Sequence, residues 1–488
     1  VKVLFAVSEC GPFAKSGGLA DVAGSLPKEL KSLGTDVRVI LPKYGTIAEK
    51  YKKNMKKVKE YTVSVGWRNQ YCGIEELIYQ GVTFYFVDNE YYFKREGLYG
   101  YFDDGERFVF FNRAVLEAIA QLNFFPDVLH CHDWHTAMIP YLLKTEYYKE
   151  RGYGLIHTVF TIHNLQFQGI FPKEVLGDLL GLEDQLPHYQ KLEFYRNINF
   201  MKGALIAADK ITTVSPTYKE EIQTDVYGEK LNGLLKERDD DLNGILNGID
   251  EDFYNPVQDP LIFQTYSVND LAKKAVNKRE VQKQFGLRQS SGTPLLVMIS
   301  RLTKQKGFDL VKCVLREILQ EDIQVIMLGT GDYEYEDYFR QAARVYPEKL
   351  KVHTGFNEEL AHKLYAAADL FLMPSLFEPC GLGQLIAMKY GAIPIVRETG
   401  GLNDTVKAWN EFSEQGNGFS FQNFNAHDML YTIQRALGFY HNKQVWQKIV
   451  KQAMEKDFSW AQSAFSYNQL YAELVSRSES HVFFERKI

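Results

Sequence analysis

Cysteine is scarce, with five residues in 488, at Cys10, Cys72, Cys131, Cys313 and Cys380. The number is odd, the spacing is wide and no CxxC occurs. That excludes a disulfide framework or a zinc module built on paired thiols, and it predicts a reducing compartment. Long apolar runs are also missing. The one extended uncharged stretch, 154–171, holds two His, two Gln, one Asn and two Thr, a polar load that does not enter hydrocarbon. The first apolar run, 3–7, is too short for a signal-peptide core. A cytoplasmic setting is expected, and the opening Val1 leaves room for a removed plastid transit peptide. Nor is there charge of one sign: 56 Lys+Arg stand against 62 Asp+Glu, a net −6. Neither a nucleic acid nor an anionic membrane is expected as a partner. Three motifs are absent as well. Without GxGxxG, GxxxxGK[ST] or GxSxG there is no dinucleotide fingerprint, no P-loop and no hydrolase nucleophile elbow.

What the chain does have is a globular balance, 45% hydrophobic and 24% charged, and enough length for two or three domains. Residues 3–7 read as a buried strand, followed by a glycine-bearing loop at 11–18. Leu19, Val22, Ala23, Leu26, Leu30 and Leu33 then recur at helical spacing, Gly34 ends the helix, and 37–41 is a second strand. Strands at 83–87, 128–132, 158–163 and 210–214 follow, with amphipathic helices at 108–122 and 138–148. The alternation restarts after 290, with strands at 295–300, 325–328, 352–354, 370–373 and 393–396 and helices near 308–319 and from 382. This pattern predicts an α/β protein with two Rossmann-like, doubly wound parallel sheets. The polar stretch 236–247 separates them. The domains are read as 1–242, 243–460, and a helical segment 461–488 packing back on the first.

In such sheets ligands sit beyond the carboxyl ends of the strands, so the loops there hold the candidate chemistry. Lys15-Ser-Gly-Gly18 precedes a helix: Gly17 and Gly18 let backbone N–H groups approach a phosphate, and Lys15 adds a charge. His130-Cys-His-Asp-Trp-His135 tempts a metal reading. However, alternation puts His130 and His132 on one side, His135 is aimed separately and no second ligand cluster follows. A polar, substrate-facing loop fits better, and no metal is expected. His163 lies at another strand end. Arg301, Lys304 and Lys306 follow a strand in an acidic protein; a fork and compact cations suit a diphosphate. In Phe377-Glu-Pro-Cys-Gly-Leu-Gly383, backbone N–H groups of Cys380, Gly381, Leu382 and Gly383 can hold phosphate while Glu378 faces a polar ligand. The Cys380 thiol itself reads as packing. Thr399-Gly-Gly401 can add further N–H donors. These loops suit a nucleotide-sugar or phosphosugar site in a cleft between facing sheets.

Seven motifs in order carry a resemblance: Lys15-Ser-Gly-Gly-Leu-Ala-Asp21, His130-Cys-His-Asp-Trp-His135, Thr161-Ile-His-Asn164, Val214-Ser-Pro216, Asn247-Gly-Ile-Asp250, Ser300-Arg-Leu-Thr-Lys-Gln-Lys-Gly307 and Phe377-Glu-Pro-Cys-Gly-Leu382. The set resembles the bacterial glycogen synthase and plant starch synthase family, glycosyltransferase family 5. The resemblance implies the GT-B fold with a deep interdomain cleft. It also implies transfer of glucose from ADP-glucose to the non-reducing end of glycogen or another α-1,4-glucan, with retention and without a cofactor or metal. Lys15, Gly18, Arg301 and Lys306 would hold the diphosphate, and Asp21 would lie near the nucleoside. His163 would sit beside the donor glucose with its carbonyl toward the anomeric carbon. Asp133 would lie near the reacting centre, Asn247 and Glu378 would bind sugar hydroxyls, and Phe356 would stack on adenine. The chain departs at Gly383, where many relatives have Thr or Asn, and at Ile386, where related GT-B families have a second Glu. The alternatives are another GT-B transferase using UDP-glucose and a catalytically silent glucan-binding homologue; a phosphorylase would need a pyridoxal-bearing lysine.

Overall fold

The central strands are short apolar runs buried on both faces, as parallel strands covered by helices must be. In the computed structural model, which describes residues 1–485, Val3 to Ala6, Val128 to His132 and Leu370 to Met373 are all buried. Two α/β units result. The first comprises Val1–Val214, Lys219–Asn247 and the segment from Trp460 onward; the second comprises Ser215–Tyr218 and Gly248–Ser459. The polar stretch read as a boundary contains the strand Leu242–Gly244, so the chain leaves the first unit at Asn247 rather than near residue 242.

The first unit's sheet has nine strands. Their order is Leu242–Gly244, Lys210–Thr213, His157–Ile162, Val128–His132, Lys2–Ala6, Asp36–Pro42, Val82–Asp88, Arg68–Tyr79 and Lys56–Val65. The first seven are parallel and the last two antiparallel. The chain winds outward from Lys2–Ala6 in one direction, then restarts beside it at Val128–His132, so the crevice between those two strands is the switch point. The helix Gly18–Ser32 follows the first strand, and Trp460–Glu485 packs on it. Asn468 Oδ1 there accepts from the Thr35 hydroxyl at 2.9 Å.

The second unit's sheet is wholly parallel, in the order Leu350–Thr354, Gln324–Gly329, Leu295–Ile299, Leu370–Met373, Ile393–Arg397, Phe419–Phe421. Its switch point lies between Leu295–Ile299 and Leu370–Met373. The hairpin Lys56–Val65 and Arg68–Tyr79 is additional to the sequence reading. Its outer strand carries Lys56, Lys57, Lys59 and Glu60, a charged edge that discourages pairing with other chains. No helix among the described residues is long and apolar enough to cross a membrane.

Candidate active site

Four motif loops leave the sheets at the two switch points: 8–18 and 133–137 in the first unit, 300–307 and 374–383 in the second. In the first loop a residue that sequence reasoning passed over sets the geometry. Glu9, buried just past the strand, accepts from the N–H groups of Ser16 and Gly17, both at 3.1 Å, and from the Tyr99 hydroxyl at 3.2 Å. Burial pushes its carboxyl pKa up, against those hydrogen bonds. The Gly17 N–H is therefore committed to Glu9 rather than offered to a phosphate. The signal in the sequence was a lone acid immediately after an apolar strand. Lys15 Nζ pairs with Asp21 Oδ1 at 2.7 Å on a half-exposed surface.

Gly18 opens the helix, and a Cβ added to it would meet no protein atom within 4 Å. The fold does not need glycine there, and the free space leaves its backbone open to close approach. Gly18→Ala is expected to leave the melting temperature within about 1 °C, since an unstrained surface change costs little. The KM for the sugar nucleotide that the resemblance implies should rise several-fold; unchanged KM would place that ligand elsewhere.

The second loop carries Asp133 at φ 59° and ψ 178°, a region that side chains other than hydrogen seldom occupy. Its Oδ1 accepts from the His163 N–H at 2.8 Å, and its own N–H donates to Thr161 O at 3.0 Å. Burial pushes its carboxyl up to about 7, opposed by the N–H groups of His163 and Asn164. His130 is fully buried between the Tyr471 hydroxyl and Thr161 Oγ1, both at 2.6 Å. His132 stacks on His130 with centroids 4.2 Å apart and bonds to His163, Nδ1 to Nε2, at 2.9 Å. His135 lies against Tyr99, centroids 4.3 Å apart. Burial lowers all four histidines, His163 and His135 to about 3, so these rings are neutral hydrogen-bonding groups at pH 7. Asn247 is buried, and its Oδ1 has no partner among the described residues.

In the second unit Lys306 Nζ bridges both carboxylate oxygens of Glu378, at 2.9 and 2.8 Å, and Ser375 Oγ donates to Glu378 at 2.9 Å. The lysine expected on phosphate and the acid expected on sugar are thus one buried pair. Arg301 and Lys304 are exposed. The 374–383 loop is held from behind. A Cβ on Gly307, which has φ 81°, would stand 1.9 Å from Pro374 O, and one on Gly400, φ 46°, would stand 1.8 Å from Glu378 O. The Gly401 N–H donates to the carbonyls of Glu378 and Pro379 at 3.1 Å, and the Thr399 N–H to Arg397 O at 2.9 Å. The Gly401 amide braces the loop and the Thr399 amide is spent at the end of its own strand, Ile393–Arg397, so neither stands open as the phosphate donor expected from Thr399-Gly-Gly401. Cys380 is buried against Gly401, whereas Gly381, Leu382 and Gly383 are partly open at the start of the helix Gly383–Lys389. Phe356 is 76% exposed, past the end of Leu350–Thr354.

Comparison with known proteins gives this arrangement a family. Residues 2–237 match the starch synthase catalytic domain and residues 280–452 match glycosyl transferases group 1. The chain is 61% identical over 482 residues to the glycogen synthase of Anoxybacillus flavithermus, covering 99% of this chain and 100% of that one. It is 62% identical over 479 residues to that of Geobacillus thermodenitrificans, covering 98% and 99%. Among solved structures it resembles the catalytic domain of starch synthase IV from Arabidopsis thaliana bound to ADP and acarbose, with TM-score 0.91, 34% identity, and 97% and 99% of the two chains covered. Sucrose-phosphate synthase from Thermosynechococcus elongatus, TM-score 0.61 at 16% identity, shares the fold. With two doubly wound units of GT-B type and relatives matched from end to end, the chain belongs to the glycogen synthase family of glycosyltransferases.

Proposed function

We propose that the protein transfers glucose from ADP-glucose to the non-reducing end of an α-1,4-glucan with retention, releasing ADP. The observation that carries this reading is that each sheet delivers a cation-bearing loop to its own switch point, with Lys15 in one unit and Arg301 and Lys306 in the other. The reading requires both units to reach one diphosphate. A similar catalytic domain bound to ADP and acarbose supports a nucleotide and a sugar chain as its ligands.

In this mechanism Arg301 and Lys306 neutralise the charge that builds on the diphosphate as the glycosidic bond breaks. Two carboxylates about 5 Å apart serve retaining hydrolases; here Glu378 is locked to Lys306 and Ser375 and is a sugar-hydroxyl acceptor, not a nucleophile. The acceptor hydroxyl attacks on the face the diphosphate leaves, and the departing diphosphate takes its proton. Asp133 and the His163 carbonyl stabilise the cationic sugar, and the unpartnered Asn247 Oδ1 accepts from a sugar hydroxyl. Asp21 and exposed Phe356 serve the nucleoside. Gly18, Gly381, Leu382 and Gly383 present backbone to phosphate. Lysine and arginine supply the charge, so no metal or other cofactor is invoked. A cytoplasmic setting belongs to the same reading, and all five cysteines are free.

The test is ADP release from ADP-glucose with and without glycogen, repeated with UDP-glucose and with a chelator. Glycogen-dependent release, faster with ADP-glucose and indifferent to the chelator, is expected. A preference for UDP-glucose would overturn the donor. Glycogen binding without any nucleotide release would identify a silent glucan-binding homologue.

A further inference from the structure

The bond between His132 and His163 has a consequence for the sugar side of the site. Two neutral imidazoles facing each other, Nδ1 to Nε2 at 2.9 Å, share one proton, so one ring donates and the other accepts. The His132 ring has no freedom to choose another partner. It is fully buried, stacked on His130 at 4.2 Å and on Phe5 at 5.1 Å, and its backbone N–H donates to Thr136 Oγ1 at 2.7 Å. Its other nitrogen, Nε2, is buried with no partner among the described residues.

That orphan decides the direction of the bond. If His163 donated from Nε2, His132 would have to carry its proton on Nε2, a buried N–H with no acceptor. Buried N–H groups left without acceptors are rarer than buried acceptors left without donors, and each costs its full desolvation. In the opposite arrangement His132 Nε2 is a bare lone pair, and its proton sits on Nδ1 in the bond. His163 then accepts at Nε2 and carries its own proton on Nδ1. The His163 backbone is clamped by Asp133 at 2.8 Å, which limits the ring to rotation about its side-chain bonds.

We propose that His132 is a positioning residue that donates from Nδ1 to Nε2 of His163 and so fixes His163 as the Nδ1–H tautomer, a hydrogen-bond donor to a hydroxyl of the transferred sugar. The assignment of a sugar beside His163 rests on the function proposed above; the direction of the bond does not. A second-sphere hydrogen bond that selects a histidine tautomer is a common way for a neutral imidazole to present one defined polar edge.

Two measurements on the full chain test this. In ¹⁵N-histidine spectra of the wild-type protein, His163, assigned by its loss in His163→Gln, should show a protonated Nδ1 and a bare Nε2; the reverse pattern overturns the proposal whatever the substrate proves to be. In kinetics, His132→Phe keeps a stacked ring but removes the donor, whereas His132→Asn keeps an N–H near the Nδ1 position. The Phe variant should lose about 10-fold or more in kcat/KM for the sugar nucleotide, as expected for one lost hydrogen bond at the reacting sugar. The Asn variant should stay within about 3-fold of wild type. The dissociation constant of ADP, which lacks the sugar, should not move in either variant. Wild-type turnover in His132→Phe, or ADP affinity falling in parallel with turnover, would show that His132 only supports the loop.

Discussion

Lys306→Ala should lower kcat by about 10²- to 10³-fold, the effect of removing one group that stabilises developing charge. The same change should destabilise the second unit. Glu378 is 7% exposed in its side chain and Lys306 15%, and stripping one partner from a buried pair costs roughly 3–5 kcal/mol because the other charge stays behind. The stability effect is read by itself in a second variant, whose turnover reports on Glu378 as well as Lys306. Lys306→Ala combined with Glu378→Gln removes the stranded charge and should recover most of the urea midpoint while turnover stays low. If turnover and midpoint recover together, Lys306 acts through stability and not on the diphosphate. Near-normal turnover in Lys306→Ala alone would remove the diphosphate role altogether.

Asp133→Asn should lower activity and raise stability at alkaline pH. Burial holds the Asp133 carboxyl at about 7 against an ordinary 3.8. In the proposed mechanism only the carboxylate can face a cationic sugar, so kcat should rise with pH through an apparent pKa near 7, and the Asn variant should lack that limb. The stability argument has the opposite sign. The native state holds this proton more tightly than the unfolded chain does, so ionising Asp133 costs folding free energy, growing from about pH 4 to 7 toward about 4 kcal/mol. Wild type should therefore melt below Asp133→Asn at pH 8, and the gap should narrow at pH 5 and close below about pH 4. A gap that widens on acidification would contradict a raised carboxyl. The left-handed backbone at Asp133 adds to the cost of presenting this group.

Most of the architecture was legible because the sheets are built from strands with one strong signal. Val128–His132 and Leu370–Met373 match the sequence reading residue for residue, and the other buried parallel strands differ by one or two positions at their ends. The hairpin Lys56–Val65 and Arg68–Tyr79 was not legible, since one strand is mostly exposed and charged and its pairing is local to a sheet edge. Phe419–Phe421 and Leu242–Gly244 are too short to carry a period. Motif spacing located Lys15, Asp133, His163, Lys306 and Glu378 at strand ends. Which of them bind each other was not legible, because the Lys306–Glu378 pair and the Glu9 cradle join residues through folded loops. The double glycine at 400–401 shows the limit well: a sequence that looks like a phosphate cradle supplies close packing behind the 374–383 loop.

The first unit is discontinuous in the chain, and this orders its manufacture. Its sheet is spelled out by Gly244, but Trp460–Glu485, which covers Gly18–Ser32 and supplies Tyr471 to His130, is translated only after Gly248–Ser459. At 5–20 residues per second that intervening stretch occupies the ribosome for roughly 10–40 s. Throughout that interval the second unit is being translated while the first waits with one helix face bare. The first unit is thus completed only when Trp460–Glu485 has emerged, after every residue of the second has been translated.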